Sequence, residues 1–311
     1  MKAPSHILQT IADGLDLIAN RWTLSILQAA FQGCCRFDDF LSQTGISRAT
    51  LSRRLEELTH HKILIKTPSD HPRRFLYVFS ERGLELLNAS LLARELEAAW
   101  SGQAPRPLKH TSCGHAFKAK LICQHCKEEL HDKDITWQQL AHGRDELQEL
   151  NQLQALSING QGKRPRESAV FKNSTGDNKQ SIVANIIGDR WCLLIIIANL
   201  LKVERFDDFL KLLNIAPSTL NARLKLFQEQ GLMVKQQYQD NPPRFNYQLS
   251  KKGLMAGRFI SELRQWILAG DEQGKAIGSQ LIHKTCGASL QQQLVCGHCN
   301  ETPQSEQLFS K

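Results

Sequence analysis

The sequence lacks any long run of apolar residues. Its longest apolar stretch, Trp191 followed by Cys192 to Ala198, is far shorter than the roughly 20 residues that span a bilayer. The N-terminal segment also lacks the continuous apolar region of a secretory signal peptide. We therefore expect a cytoplasmic protein with no membrane contact. Its nine cysteines should then be thiols or metal ligands, because disulfides are rare in the cytosol.

The sequence also lacks the motifs of common enzyme classes. It has no glycine-rich phosphate-binding loop and no Gly-x-Ser-x-Gly nucleophile elbow, so we expect a protein that is not an enzyme. Acidic residues are in the minority, with 31 Asp and Glu against 39 Lys and Arg and a formal net charge of +8. This basic balance favours an acidic partner such as nucleic acid, although many basic proteins bind none.

An internal repeat determines the predicted architecture. Arg21-Trp22 recurs as Arg190-Trp191, and the hexapeptide Arg-Phe-Asp-Asp-Phe-Leu occurs at both 36–41 and 205–210. A period of this length indicates a duplicated domain, because solenoid repeats are much shorter. We therefore predict a first domain over 7–135, a linker over 136–178 and a second domain over 179–302. A short helix at 145–156 inside the linker is possible, and a solvated helical extension is the alternative.

Each copy has the same predicted order of elements. Apolar residues at helical spacing, capping residues and turn residues indicate helices and then a two-stranded hairpin and a long helix. In the first copy the helices are 7–18, 21–31, 37–43 and 47–60, the strands are 63–66 and 75–79, and the last helix is 81–100. In the second copy the corresponding segments are 182–187, 191–201, 206–212, 217–230, the hairpin 233–249 and the helix 251–268.

This order is that of a winged helix-turn-helix domain. The segments Asp189-Arg190-Trp191, the repeated hexapeptide, 45–52 and the wing 241–247 resemble the HxlR-type winged-helix regulators. The resemblance covers about 7–100 and 179–268. It implies a mainly α protein with small β-sheets (α+β) and a bacterial-type repressor or activator that binds DNA as a dimer of single-domain chains. Because this sequence fuses two copies, one chain could act as a pseudo-dimer, or two chains could pair as a homodimer; no effector is indicated.

The fourth helix of each copy is the predicted recognition helix, which would enter the major groove of duplex DNA. At about 100° per residue, Leu51, Leu55 and Leu58 face the core, and Arg53 on the other side could bind a guanine edge. The candidate DNA contacts of the first copy are Ser47, Arg48, Ala49, Thr50, Ser52 and Arg53, with Arg73 and Arg74 on the wing. Those of the second copy are Ser218, Thr219, Asn221, Ala222 and Lys225, with Arg244 on the wing.

The two recognition helices differ at their exposed positions. Ala222 takes the place of Arg53, and Lys225 takes the place of Glu56. We therefore hypothesise an asymmetric DNA site, or one strong and one weak half-site. A protein–protein adaptor is the alternative function, because winged helices also serve as docking modules.

Each copy ends in a matching cluster of cysteines and a histidine. The spacing His-x2-Cys-x9-Cys-x2-Cys is typical of a structural zinc site with three thiolates and one imidazole, so up to two zinc ions are expected. The predicted ligands are His110, Cys113, Cys123 and Cys126 in a zinc-ribbon-like segment of the first copy, and His283, Cys286, Cys296 and Cys299 in that of the second.

Other readings of the cysteines stay open. His125 and His298 also recur, but a residue between two ligands is poorly placed to bind the same ion, so His110 and His283 are favoured. Free thiols or a redox-active Cys-x2-Cys pair are the alternatives to zinc. Separately, Cys34 and Cys35 could sense oxidants and make the protein a redox-sensing regulator.

Overall fold

The computed structural model describes residues 14–18, 20–69, 74–103, 107–131, 134–139, 181–269, 279–304 and 307–310. Mixed helices and small sheets form two helix-turn-helix units, and a third, β-rich part contains the cysteine clusters. The candidate helix at 145–156 lies outside the described residues. Among the helices that the structure describes, none combines the length and apolarity needed to cross a membrane.

The first unit follows the predicted order of elements. Residues 14–18 are helical. The remaining elements are helices α1 (Arg21–Phe31), α2 (Phe37–Thr44) and α3 (Arg48–His60), the antiparallel strands β1 (Leu64–Pro68) and β2 (Phe75–Phe79), and helices α4 (Glu81–Leu84) and α5 (Leu87–Ser101).

The second unit repeats this order. Its elements are helices α6 (Ile182–Ile187), α7 (Arg190–Leu200), α8 (Phe206–Leu213) and α9 (Pro217–Glu229), the antiparallel strands β6 (Met233–Gln239) and β7 (Arg244–Leu249), and helices α10 (Lys251–Leu254) and α11 (Ala256–Ala269).

Local capping explains where the helices of the first unit begin and end. The Asn20 side chain accepts hydrogen bonds from the backbone N–H groups of Trp22 and Thr23, and Ser47 accepts from Thr50. Gly45 ends α2 with a φ of 64°, a left-handed conformation that favours glycine. In the second unit Asn214 adopts this conformation with a φ of 45°, which is the usual non-glycine substitute.

The expectation of a single long helix after each wing is wrong. The structure has a short helix followed by a longer one, α4 then α5 and α10 then α11. The short helix rests closely on the hairpin, because a Cβ atom at Gly83 would lie 2.1 Å from the carbonyl oxygen of Ile63. The chain therefore has to turn before α5 begins. As a result Leu84 is 39% exposed, whereas Leu91 and Leu92 are buried.

The two units pack against each other with reciprocal contacts. The indole N–H of Trp100 donates to the backbone oxygen of Lys252, and that of Trp266 donates to Arg82, both at 3.0 Å. Asn20 and Asp189, which are equivalent in the repeat, form an antiparallel β-bridge with each other. Reciprocal contacts and self-paired equivalent residues are the signature of two-fold symmetry. One connected core therefore runs through both units.

The β-rich part, here called the Cys/His module, is built jointly by both copies. Its strands are β3 (Leu108–His110), β4 (Ala119–Cys123), β5 (Ile135–Gln139), β8 (Ser279–His283), β9 (Gln292–Cys296) and β10 (Leu308–Ser310). Every pair joins the two copies: β4 with β9, β5 with β8 and β3 with β10. Strand β5 extends into the predicted linker, and β10 lies beyond the predicted end of the second domain. Two separate ribbon-like segments, one per copy, are therefore not what the structure shows.

Candidate nucleic-acid interface and metal centres

Helix α3 presents the face that its sequence pattern predicts. Leu51, Leu55 and Leu58 are fully buried. The other side of α3 is exposed along its first two turns and carries small, hydroxyl-bearing and charged side chains. Its members are Arg48, Ala49, Ser52, Arg53 and Glu56, with Thr50 half-buried beside them and the capping Ser47 exposed.

Helix α9 has the same orientation toward its own core. Leu220, Leu224 and Phe227 are buried beneath it. Its exposed face consists of Ser218, Asn221, Ala222 and Lys225, with Thr219 half-buried. Lys225 lies 3.8 Å from Glu229 one turn later, an exposed pair that contributes little stability and leaves the ammonium group accessible.

The inward-facing arginines hold the two recognition helices differently. Arg223 of α9 binds Asp189, the capping residue of α7, through two hydrogen bonds of 3.1 and 2.7 Å. The equivalent arginine in α3, Arg54, pairs instead with Glu57 of its own helix. Because Asn20 occupies the position of Asp189, α3 lacks a carboxylate there for Arg54. This contact of α9 with the cap of α7 is thus a second difference between the copies.

Each wing carries exposed cations. Arg74 and Arg244 are exposed at the start of β2 and β7, whereas Arg73 lies outside the described residues. The sequence-based prediction missed Lys66 and Lys235, which occupy equivalent positions on β1 and β6. Their ammonium groups lie 4.1 Å and 3.8 Å from the ring centroids of a phenylalanine on the facing strand. The repeat itself contained this signal, because both the lysine and the phenylalanine recur.

The eight predicted metal ligands form two groups, but not the expected ones. Each group takes its His-x2-Cys pair from one copy and its Cys-x2-Cys pair from the other. The physical reason is strand pairing: β4 pairs with β9, so each Cys-x2-Cys turn is brought to the other copy's histidine. One group is His110, Cys113, Cys296 and Cys299, and the other is Cys123, Cys126, His283 and Cys286.

The ligand atoms have the spacing of a tetrahedral zinc site. Zinc bonds of about 2.3 Å to sulfur and about 2.1 Å to nitrogen place sulfurs about 3.8 Å apart and nitrogen about 3.6 Å from sulfur. The Nδ1 atom of His110 lies 3.5 Å from Cys113 and 3.4 Å from Cys299. In the other group, Nδ1 of His283 lies 3.3 Å from Cys126. The sulfurs of Cys123 and Cys286 are 3.9 Å apart, too far for a disulfide.

In each Cys-x2-Cys turn, hydrogen bonds favour the thiolate form of the first cysteine, whereas the pKa of the second, Cys126 or Cys299, is raised. Burial raises the pKa of the Cys296 thiol, but hydrogen bonds from the backbone N–H groups of Cys299 and His298 outweigh it and bring the pKa to about 7. The pKa of Cys123 is lowered below its usual value by the same arrangement in the other group. Both histidines, His110 and His283, are fully buried, which fits ligands of a closed site.

A third set of residues is less suited to a metal ion. The ligand atoms of Cys113, His115 and His298 lie within 4.8 Å of one another. However, the two imidazole rings stack, with centroids 3.4 Å apart and planes 18° apart. A ring nitrogen binds metal in the plane of its ring, so two nearly parallel rings cannot both aim at one ion. Neither His298 nor His125 belongs to the two four-residue groups.

The remaining cysteines lie away from the module. Burial, together with Asp39 and Cys35, raises the pKa of the Cys34 thiol, so at neutral pH it is mainly protonated and weakly nucleophilic. Cys192 is fully buried, and burial raises its pKa well above the usual value. These surroundings disfavour the reactive thiolate that an oxidant sensor requires.

Comparison with known proteins agrees with the fold. The HxlR-like helix-turn-helix family matches residues 17–103 and 186–274. Uncharacterized HTH-type transcriptional regulators of Mycobacterium bovis and Mycobacterium tuberculosis are 35% identical to the chain over 136 residues, covering 41% of this chain and 84% of each relative. A solved structure of a candidate transcription factor from Pseudomonas aeruginosa is 29% identical, covering 39% of this chain and 82% of that one with a TM-score of 0.31. The chain belongs to the HxlR-like helix-turn-helix family and carries two copies of its domain in tandem.

Proposed function

We propose that this protein regulates transcription by binding duplex DNA with its two winged helices. The observation that carries the proposal is the recurrence, in one chain, of an exposed helix face directly after a helix-turn-helix turn and before a cationic wing. The relatives named as transcriptional regulators support it. Their matched stretch is most of each relative but less than half of this chain, and the family match occurs twice in this chain.

In this proposal each recognition helix enters a major groove and each wing contacts the adjacent backbone or minor groove. Arg53 binds a base edge, and Arg74 and Lys66 contact phosphates beside it. In the second unit Asn221 and Lys225 take the recognition role, with Arg244 and Lys235 on the wing. The packed, pseudo-symmetric arrangement of the units makes the single chain an intramolecular pseudo-dimer that needs no second chain to contact two half-sites.

A mobility-shift titration against genomic duplex fragments at two salt concentrations tests the function. The wild-type protein should bind a subset of fragments with an affinity that falls steeply with salt, because phosphate contacts release counterions. Arg53→Ala should lose roughly 1–3 kcal/mol of binding free energy on selected fragments. Arg74→Ala should weaken binding to all fragments and reduce the salt slope by about one. Lys118→Ala, which removes an exposed cation from the Cys/His module, is the control.

Folded protein that shows no salt-sensitive binding to any duplex would overturn the proposal and favour an adaptor that binds proteins. Equal losses for Arg53→Ala and Lys118→Ala would show that net charge, rather than the face of α3, determines binding. A loss of DNA binding for Arg53→Ala but not for Lys118→Ala would identify α3 as an element that contacts the DNA bases.

The cofactor proposed with this function is structural zinc, one ion in each four-residue group. Four protein ligands leave no open position for a substrate, so the ions would stabilise the fold and would not catalyse a reaction. Metal analysis of the purified protein should give two zinc ions per chain. Replacement by cobalt should give the absorption bands of tetrahedral thiolate coordination. A chain that folds with no bound metal and resists cobalt would contradict the assignment.

A further inference from the structure

Among the residues that the structure describes, neither copy completes a metal site on its own. His110 and Cys113 supply half of one site, and the other half comes from Cys296 and Cys299. The second site is built in the reciprocal way. Any ion that satisfies all four ligands is therefore bonded to both copies at once, and two such ions bridge the copies at two points.

The strand pairs of the module should depend on these bridging ions for their stability. The central pair, β4 and β9, is antiparallel, with Leu121 facing the equivalent Leu294. Each sheet of the module has two strands, and an isolated two-stranded sheet is marginally stable in water. Metal binding usually provides the folding free energy of such small units. We therefore expect the strands of the two copies to pair when the ions bind and to separate when the ions are removed.

The module is connected to the winged helices through a buried polar network. Gln292, at the start of β9, donates to the carboxylate of Glu262 in α11 at 2.6 Å and to the backbone oxygen of Arg258 at 3.3 Å. Glu262 also interacts with the side chain of Asn88 in α5, the long helix of the other copy. In the first copy, the backbone of Ala119 in β4 hydrogen-bonds to Glu95 of α5. The strands that carry the ligands are thus attached to α5 and α11, two helices that contact each other between the units.

We propose that the Cys/His module is a metal-dependent clamp that fixes the two winged-helix units relative to each other, so that metal occupancy controls binding to a two-part DNA site. The DNA consequence rests on the proposed function, whereas the clamp does not. Fixed units bind two half-sites at a high effective concentration. Units released from the clamp keep only their helical contacts, such as the hydrogen bonds of Trp100 and Trp266, so their relative orientation is held less firmly.

The first experiment measures the clamp without DNA. A protease site is inserted at 160–163 in the full-length protein, the purified metal-loaded chain is cleaved, and the fragments are examined by gel filtration. Because the helical cores of the two units also pack together, the gel filtration is run over a dilution series. The fragments should co-elute with metal at dilutions at which they separate after chelation. The variant Cys113→Ser with Cys126→Ser, which alters both sites, should separate without chelation. Cys34→Ser, a matched loss of a thiol outside the module, should co-elute like the wild type. Fragments that separate at the same dilution with metal and after complete metal removal overturn the proposal.

The second experiment measures the effect on DNA with the uncleaved chain. Metal removal should weaken binding to a selected two-part site by about tenfold or more and change binding to an isolated half-site less than twofold. Equal weakening on both sites, or none on the two-part site, overturns the proposed control. If metal-loaded protein binds no DNA but its cleaved fragments still separate on chelation, the DNA function fails and the clamp stands.

Discussion

The imidazole Nδ1 of His110 lies 3.4 Å from the sulfur of Cys299, although 189 positions separate them in the chain. The reciprocal contact joins His283 to Cys126 at 3.3 Å. Four ligands that converge only when the copies are paired make metal binding a property of the whole chain. Mutagenesis can test this grouping of the ligands, because the two ways of grouping the same eight residues predict different metal contents for double variants.

The first prediction concerns the pairing of ligands. Cys113→Ser with Cys299→Ser alters one site in the structure, so the variant should retain one zinc ion per chain. Cys113→Ser with Cys126→Ser alters both sites and should lose both ions or bind them weakly, since each site keeps three ligands. Metal analysis after gel filtration distinguishes the two. The reverse result, with more zinc in the second variant, would indicate grouping within each copy.

The second prediction concerns the close approach of the two units at Gly188. A Cβ atom there would lie 2.2 Å from the carbonyl oxygen of Ala184 and 2.5 Å from the backbone nitrogen of Arg21 in the other unit. Since backbone atoms move little, Gly188→Ala should lower the free energy of unfolding by about 1–3 kcal/mol in urea denaturation.

Gly257→Ala is the matched control for that experiment. Its Cβ would meet only side-chain atoms of Leu200, at 3.8 Å or more, and helix α11 favours alanine. This variant should be neutral or more stable by up to about 1 kcal/mol. Similar behaviour of the two variants would mean that the units do not pack closely at Gly188 in solution.

Helix faces and caps were predictable from sequence because they depend on nearby residues. The periodicity of Leu51, Leu55 and Leu58 correctly predicts the buried side of α3, and Asn20 and Ser47 cap the helices that follow them. The break between α4 and α5 was not predictable in this way. It depends on contact between Gly83 and Ile63, which lies on a different element.

The grouping of metal ligands was unpredictable for a related reason. Both copies carry the same His-x2-Cys and Cys-x2-Cys pairs, so their spacing fits grouping within a copy as well as between copies. The pairing of β4 with β9 decides the grouping of the ligands. In this pair Leu121 faces Leu294, which lies 173 positions later in the chain. The repeat in the sequence identified the ligands, but it did not show which four of them bind the same ion.

The third prediction is a pH dependence at Glu262. Burial raises the pKa of this carboxyl, and the hydrogen bonds from Gln292 and Asn88 only partly offset the rise. The folded state therefore holds the proton more tightly than the unfolded state, whose pKa is about 4.3. The protonated Glu262 carboxyl therefore stabilises the folded state at low pH. This stabilisation is lost as the pH rises from the unfolded pKa through the higher folded pKa.

Glu262→Gln removes this ionisation and keeps an oxygen that can accept from Gln292. Relative to wild type, the variant should gain stability as the pH rises above about 4.3, as measured by urea denaturation at each pH with zinc present. Glu56→Gln, at an exposed position, is the control for the loss of a carboxylate. A stability difference between Glu262→Gln and wild type that does not change with pH would mean that the carboxyl is not buried in solution.

The last prediction concerns the unequal roles of the two recognition helices. The exposed position held by Arg53 in α3 is held by Ala222 in α9. Of these two helices, α9 alone binds the cap of an earlier helix through an arginine, since Arg223 bonds to Asp189 at the start of α7. Binding-site selection with the full chain should therefore give two half-sites of different sequence. Arg53→Ala should relax base preference in one half-site, by about 1–3 kcal/mol at one position, and leave the other unchanged. Ala222→Arg should make the second half-site more like the first. A symmetric selected site, or one in which Arg53→Ala alters both halves equally, would show that the two helices read DNA alike despite their different faces.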